Sequence, residues 1–357
     1  MVNKKTKYNV AIMGATGAVG SEFLSILAER EFPIDELRLL ASERSKGRKL
    51  SYRDEEIPVQ VLTESSFEGI DIVLASAGAS RSKEFLPHAV KAGAVCVDNS
   101  SAYRMDDDVP LIVPEVNAHA MEGHKGIIAN PNCSTIQIML PLAPIHKAAG
   151  LKRVVVSTYQ SVSGAGQGNI LEMEKQVKEL SKKDSHYGVG EHIVPEGLVN
   201  NFVCQIAYNL IPHIDVFLEN NYTKEEMKMV HESRKILEIP ALPVTATCVR
   251  VPVYYAHSES VNVETEKKLT RADVIALLKG RPGMTVVDDP ADAKYPMPID
   301  AEGKDNVYVG RIREDESVEC GINMWVVADN LRKGAALNAI QIAEELISSE
   351  FGVRGSE

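Results

Sequence analysis

Cys133 lies in the hexapeptide Asn-Pro-Asn-Cys-Ser-Thr at 130–135, a setting suited to nucleophilic chemistry. A proline and two asparagines spell a turn, and the apolar run Ile136, Ile138, Met139 and Leu140 that follows reads as a helix. The thiol is therefore predicted at a helix N-terminus. Unpaired backbone N–H groups and the positive end of the helix dipole favour thiolate over thiol there. The same N–H groups could hold the oxyanion of a tetrahedral intermediate. An isolated cysteine is more often a small buried hydrophobe. What sets Cys133 apart is its company: a nucleotide-binding signature upstream, and a histidine and arginines elsewhere in the chain. Together they point to a thiol working beside a nicotinamide.

The signature is Gly14-Ala15-Thr16-Gly17-Ala18-Val19-Gly20, with glycines spaced Gly-x-x-Gly-x-x-Gly directly after the strand-like Tyr8 to Met13. Small residues let the backbone turn sharply and approach a pyrophosphate at the start of the next helix. The expected cofactor contacts are Gly14, Thr16, Gly17, Ala18 and Val19. A glycine trio alone is weak, but a strand before it and an amphipathic helix after it strengthen the reading. The tip of the second strand reads Ser42-Glu43-Arg44-Ser45-Lys46. An acid at that place bonds a ribose hydroxyl of NAD, whereas an arginine pairs with the 2′-phosphate of NADP. Glu43 keeps both open, while Ser42, Arg44, Ser45 and Lys46 favour NADP. A solvated charged loop is the plainer possibility.

The elements that must carry these residues follow from periodicity. Tyr8–Met13, Leu37–Ala41, Ile70–Ala75 and Ala94–Val97 read as strands. Helices follow the glycine loop to about Arg30 and run from a cap at Ser80 to Gly93. Alternating strands and helices predict a parallel, doubly wound sheet. Beyond Cys133 the texture changes. Val154–Val162 is a long strand, and Asn169–Leu180 and Lys224–Leu237 are helices. Val244–Pro252 and Ser258–Glu264 are predicted as antiparallel neighbours, with further strands near 307–312 and 318–327 in a mixed sheet. Asn330–Phe351 is an amphipathic helix expected to pack back on the first domain.

Composition sets the outer limits. A chain of 357 residues is long for one core and suggests two domains. Net charge is −11, which argues against nucleic acid or an anionic membrane as partner. Five scattered cysteines without a Cys-x-x-Cys pair fit reduced thiols in a cytoplasmic protein, not a disulfide framework or a zinc site. No metal is expected from any His, Asp or Glu spacing. The basic N-terminus runs straight into the first strand and does not read as a signal peptide, and no run is long enough to span a membrane.

Seven motifs, in order, carry a family resemblance. They are Gly-Ala-Thr-Gly-Ala-Val-Gly (14–20), Asp-Asn-Ser-Ser-Ala-Tyr-Arg (98–104), Asn-Pro-Asn-Cys-Ser-Thr (130–135) and Thr-Tyr-Gln-Ser-Val-Ser-Gly-Ala-Gly (158–166). Cys-Val-Arg-Val-Pro-Val (248–253), Ala-His-Ser-Glu-Ser (256–260) and Trp-Val-Val-Ala-Asp-Asn-Leu-Arg-Lys-Gly-Ala-Ala (325–336) complete the set. Over essentially its whole length the chain resembles the aspartate-semialdehyde dehydrogenase family. That resemblance implies NADPH-dependent reduction of L-4-aspartyl phosphate to the semialdehyde, reversible with phosphate, in lysine, diaminopimelate, methionine and threonine biosynthesis. It implies a Rossmann-type NADP-binding domain at 1–132 and an α+β catalytic and dimerisation domain at 133–329. The segment 330–357 would be a C-terminal helix returning to the nucleotide domain. A cytoplasmic homodimer, or a dimer of dimers, follows in the same way.

The resemblance also distributes roles. Cys133 would attack the acyl carbon to give a thioester, with Asn132 beside it in the catalytic set. His257 would be the general acid/base, and Gln160 would orient the substrate. Arg250 would pair with the substrate carboxylate and Arg104 with phosphate. Glu225 and Lys228, three apart on a helix, would reach amine and phosphate respectively; Glu226 competes with Glu225 for that role. Ser163 and Gly164 would line the cofactor, and Asn330 would bond the nicotinamide amide unless it is simply a helix cap. The nearest rival is N-acetyl-γ-glutamyl-phosphate reductase, whose nucleophile motif reads Asn-Pro-Gly-Cys-Tyr; Asn132 and Ser134 speak against it. An acyl-CoA reductase on the same fold is a further rival, as is a catalytically dead dimeric homologue.

Overall fold

The computed structural model describes residues 2, 4–182 and 193–348. They form two compact units. Of the described residues, those up to 139, 231–240 and 331–348 belong to the first, and those within 140–230 and 241–330 to the second. These limits differ from the expected boundaries at 132 and 329. The helix that Cys133 opens begins in the first unit, and 231–240 joins that unit as well.

The first unit is built on a seven-stranded sheet of β1 (Tyr8–Met13), β2 (Ile34–Ala41), β3 (Lys49–Tyr52), β4 (Glu55–Val61), β5 (Ile72–Ala75), β6 (Val95–Asp98) and β7 (Ile127–Ala129). Their order is β3-β4-β2-β1-β5-β6-β7. All neighbours pair in parallel except β3 with β4, an antiparallel edge hairpin. Period-two alternation divides β1 between two cores. Tyr8, Val10 and Ile12 pack with helices Ala18–Glu29 and Leu337–Ile347, and Ala11 and Met13 pack with helix Ala79–Lys91. The last helix therefore does close one face of this sheet, after a single π-helical turn at Arg332–Ala336. Phe351, the expected end of that helix, lies outside the described residues. The cap expected at Ser80 is instead Gly78, at φ +89°, and no side chain caps that helix. The β3–β4 hairpin escaped the sequence reading because Pro58 and the charged Glu55 and Glu56 interrupt its alternation.

The second unit holds a six-stranded mixed sheet of β8 (Leu151–Gln160), β9 (Val244–Arg250), β10 (His257–Thr265), β11 (Met284–Val286), β12 (Val307–Asp315) and β13 (Gly321–Ala328), in the order β11-β12-β13-β10-β8-β9. The expected β9–β10 pairing is not made. β8 lies between them, parallel to β9 and antiparallel to β10. Six linking residues, 251–256, can reach roughly 20 Å when extended, whereas stepping over one strand requires only about 10 Å. An antiparallel pattern with a short link thus fits a crossover as well as a hairpin. No described helix is long and apolar enough to cross a membrane.

Candidate active site

In the first unit the glycine loop has a distinct reason for each glycine. Gly14 sits at φ +93°, and a Cβ there would lie 2.5 Å from the carbonyl oxygen of Ser76. A Cβ on Gly20 would lie 2.3 Å from the oxygen of Gly14, so this glycine lets helix and loop close together. Gly17 is the extended N-cap of helix Ala18–Glu29, and a Cβ there would meet only Gly14 O, at 3.4 Å. The first turn of that helix contains no acidic residue, so its positive end stays available to an anion. Thr16 Oγ1 lies 3.4 Å from Ser45 Oγ, tying the loop to the β2 tip, where Ser42 opens a 3₁₀ turn over Glu43–Ser45. Glu43 pairs with Lys46 at 3.2 Å, while Arg44 is exposed and makes no ion pair among the described residues. This constellation fits a dinucleotide, with Arg44 open to a 2′-phosphate.

The Cys133 thiol lies where the turn-plus-apolar pattern predicts. Cys133, half-buried, is the first residue of helix Cys133–Ala149. Asn132 is its cap: Oδ1 accepts from the backbone N–H groups of Ser134 at 3.0 Å and Thr135 at 3.4 Å. Asn132 thus serves the helix start that carries the thiol. Arg104 is buried, with Nε donating to Asn130 O at 2.9 Å, Nη2 to Asn99 O at 2.9 Å and Nη1 to Glu232 Oε1 at 3.0 Å. Asp98 shapes the approach to Arg104 by accepting from Ser82, Ser100 Oγ and Ser100 N–H. Burial pushes the Asp98 carboxyl up despite those bonds.

The second unit gathers the remaining candidates around the ends of β8 and β9. His257 is fully buried, and its Nδ1 accepts from the backbone N–H of Ser161 at 3.0 Å. Burial, then the charge of Arg250, pushes its pKa down to about 3, against a smaller opposing effect of Glu225. Arg250 donates through Nη1 to Ser161 O at 2.7 Å. A Cβ on Gly164 would come within 3.1 Å of the His257 ring and 3.3 Å of Arg250 Nη1, which explains a glycine there. Gln160 is buried and orientated from both sides: Thr158 Oγ1 donates to its Oε1 at 2.9 Å, and its Nε2 donates to Glu225 Oε1 at 3.1 Å.

Glu225 and Glu226, equivalent in the sequence, separate in the structure. Glu226 accepts from Thr223 N–H at 2.7 Å in a capping box and from Cys248 N–H at 3.0 Å. Both of its oxygens serve the scaffold. Glu225 faces Gln160 and Lys228, whose Nζ bridges Glu225 and Asp215 at 2.9 Å each. Burial opposes the Lys228 charge, but the two carboxylates outweigh it and its pKa is raised. A cavity of about 170 Å³ in this unit is lined by Arg250, Asn169, Asn201, His213 and Asp215 among others.

Asn330 is not a helix cap. Its Oδ1 accepts from Ser161 Oγ at 2.9 Å, Ser163 Oγ at 3.2 Å and Ala256 N–H at 3.0 Å. It thereby steadies Ala256, a non-glycine at φ +67°, immediately before His257. Ser163 is buried in the same network. Glu232 escaped the sequence reading, although extending the Glu225–Lys228 spacing by four and then three residues reaches Glu232 and Lys235. No group of three or more His, Cys, Asp or Glu side chains able to hold a metal occurs among the described residues.

Comparison with known proteins supplies the class. Residues 9–124 match the family described as semialdehyde dehydrogenase, NAD binding domain, and residues 142–333 its dimerisation domain. Among relatives, the aspartate-semialdehyde dehydrogenase of Aquifex aeolicus is 54% identical, over 95% of this chain and 98% of its own. The structure of aspartate semialdehyde dehydrogenase II from Vibrio cholerae complexed with ASA is 47% identical at a TM-score of 0.90, covering 97% of this chain and 100% of that one. The Candida albicans enzyme with NADP is 26% identical at 0.74, covering 97% and 99%. The chain belongs to the aspartate-semialdehyde dehydrogenase family.

Proposed function

We propose that this chain interconverts L-aspartate 4-semialdehyde with phosphate and L-4-aspartyl phosphate, using NADP, in the route to lysine, diaminopimelate, methionine and threonine. The observation that carries the reading is Cys133 at the first position of an Asn132-capped helix in a chain of this family. In the oxidative direction the Cys133 thiolate adds to the aldehyde carbon, and the carbonyl π electrons move onto oxygen to give a hemithioacetal oxyanion. When bound, the nicotinamide supplies the hydride chemistry that interconverts the hemithioacetal and the thioester. Phosphate oxygen then attacks the thioester carbon, the acyl phosphate forms, and Cys133 leaves as thiolate.

His257 has a defined part in this. A backbone N–H can only donate, so Nδ1 must accept, and the proton of the neutral ring lies on Nε2. His257 thus serves the oxyanion as a neutral Nε2–H hydrogen-bond donor, polarising it without giving up the proton, as a neutral imidazole does elsewhere. Arg250 takes the substrate carboxylate and Glu225, held by Gln160, its ammonium. Arg104 takes phosphate. Gly14, Thr16, Gly17, Ala18 and Val19 would hold the pyrophosphate, and Ser42, Arg44 and Ser45 the 2′-phosphate. Through their backbone, Ser163 and Gly164 would border the nicotinamide, with Asn330 fixing their loop.

A homodimer accompanies this reading. Val203, Tyr208, Leu210, Val216 and Phe217 are exposed in the second unit, in the region matched by the dimerisation family. Analytical ultracentrifugation distinguishes a dimer from a dimer of dimers. The functional test is phosphate-dependent reduction of NADP with aspartate semialdehyde. Wild type should turn over and Cys133→Ala should not, while still binding NADP. Turnover by Cys133→Ala would overturn the covalent route.

A further inference from the structure

Glu232 lies on helix Lys224–Ile236, one turn before Lys235, and is buried. Its Oε1 accepts from Arg104 Nη1 at 3.0 Å, and its Oε2 from the backbone N–H of Asn132 at 2.6 Å. Lys235 Nζ donates to the carbonyl oxygens of Arg104, Asp106 and Val109 at 2.9, 2.8 and 2.8 Å. Arg104 is therefore held at both ends. Its main chain rests on Lys235, and its guanidinium plane is fixed by Glu232 together with the carbonyls of Asn130 and Asn99. Among the described residues three of the five guanidinium N–H groups make these bonds, which leaves two for the phosphate of this reading.

Neutralising a buried arginine requires one carboxylate oxygen. The second oxygen of Glu232 instead takes the N–H of the residue whose side chain caps the Cys133 helix. One carboxylate thus orientates the guanidinium and the backbone that enters the nucleophile. Both bonds are charge-assisted and water-excluded, the setting in which loss of a partner is most strongly felt.

We propose that Glu232, seconded by Lys235, is a positioning residue that couples the phosphate-binding arginine to the nucleophile's helix start. This rests on the reading that Arg104 takes phosphate and Cys133 the acyl group. Glutamine at 232 keeps the shape, but presents an NH₂ group to one of two donors, so one bond is lost and the charge with it.

The experiment compares wild type, Glu232→Gln and Lys235→Met in the oxidative assay, with each substrate varied in turn. It also records the rise in melting temperature produced by inorganic phosphate alone. Glu232→Gln should raise the KM for phosphate ~10- to 100-fold, lower kcat, and abolish the phosphate-induced stabilisation. The KM values for aldehyde and NADP should barely move, which a merely structural defect would not produce. An unchanged phosphate KM and an unchanged phosphate-induced shift overturn the proposal. If Glu232→Gln does not fold, Lys235→Met is decisive by the same phosphate-specific readouts. A wild type stabilised by phosphate yet inactive on aspartate semialdehyde would overturn the substrate reading; the proposal would then stand or fall on the stabilisation in the variants.

Discussion

The backbone N–H of Ser161 points into Nδ1 of His257 at 3.0 Å, and this one bond decides which nitrogen of a buried ring carries the proton. The neutral ring is the Nε2–H tautomer. Long-range proton–nitrogen NMR correlations should show Nδ1 unprotonated at neutral pH. His257→Gln, which loses this ring donor, should lower kcat far more than it raises KM. A charged ring, or a proton on Nδ1, would sink the assignment.

The same burial makes His257 a stability element with a pH signature. In the folded chain its pKa is pushed down to about 3, from an ordinary 6.5, by burial and by Arg250. Between those values the unfolded chain binds a proton that the folded chain refuses. The stability associated with the neutral ring is whole above pH 6.5 and is lost as pH falls towards 3. The loss approaches about 1.4 kcal/mol per pH unit at most. Denaturant melts of wild type and His257→Gln between pH 7 and 4.5 isolate this contribution as the difference in slope. Parallel slopes would mean that the ring protonates with little penalty.

Glu225 and Glu226 give opposite expectations although they adjoin. Glu226→Ala removes a capping box and leaves the Cys248 N–H buried without its acceptor. It should cost roughly 1–3 kcal/mol of stability with substrate KM preserved. Glu225→Gln should raise the KM for aspartate semialdehyde and change stability less. Melts and initial rates on both variants settle the matter, and exchanged phenotypes would reverse the assignment.

Residues whose role is set by local pattern were legible before the fold. The Gly14–Gly20 loop, the β1 strand and the helix start at Cys133 each combine a turn signal with a hydrophobic period, and the structure places all three as expected. Partners set by tertiary placement were not. β9 and β10 read as a hairpin because nothing local reports that β8 runs between them. Glu226 could not be told from Glu225, since the decisive acceptor role is towards Cys248, 22 residues away. Glu232 was silent for the same reason, its partners being Arg104 and Asn132, at separations of 128 and 100. Ser80 lost its cap to Gly78 because a glycine at φ +89° can turn the chain where the serine cannot.

Cofactor choice is tested at Arg44. At the β2 tip Glu43 is paired with Lys46, whereas Arg44 is exposed without an ion pair among the described residues. An acid already engaged at the surface is poorly placed to select ribose hydroxyls, and an unengaged arginine beside Ser42 and Ser45 suits a 2′-phosphate. Such a partly exposed pair should contribute on the order of 1–3 kcal/mol, or roughly ten- to a hundredfold in relative affinity. Arg44→Ala should therefore raise the KM for NADP and leave that for NAD nearly unchanged, narrowing the preference while turnover persists. The two cofactors must be compared at one salt concentration, because an exposed ion pair is screened. Equal losses for both would remove Arg44 from the 2′-phosphate site and return the choice to Glu43, with NAD as the preferred cofactor.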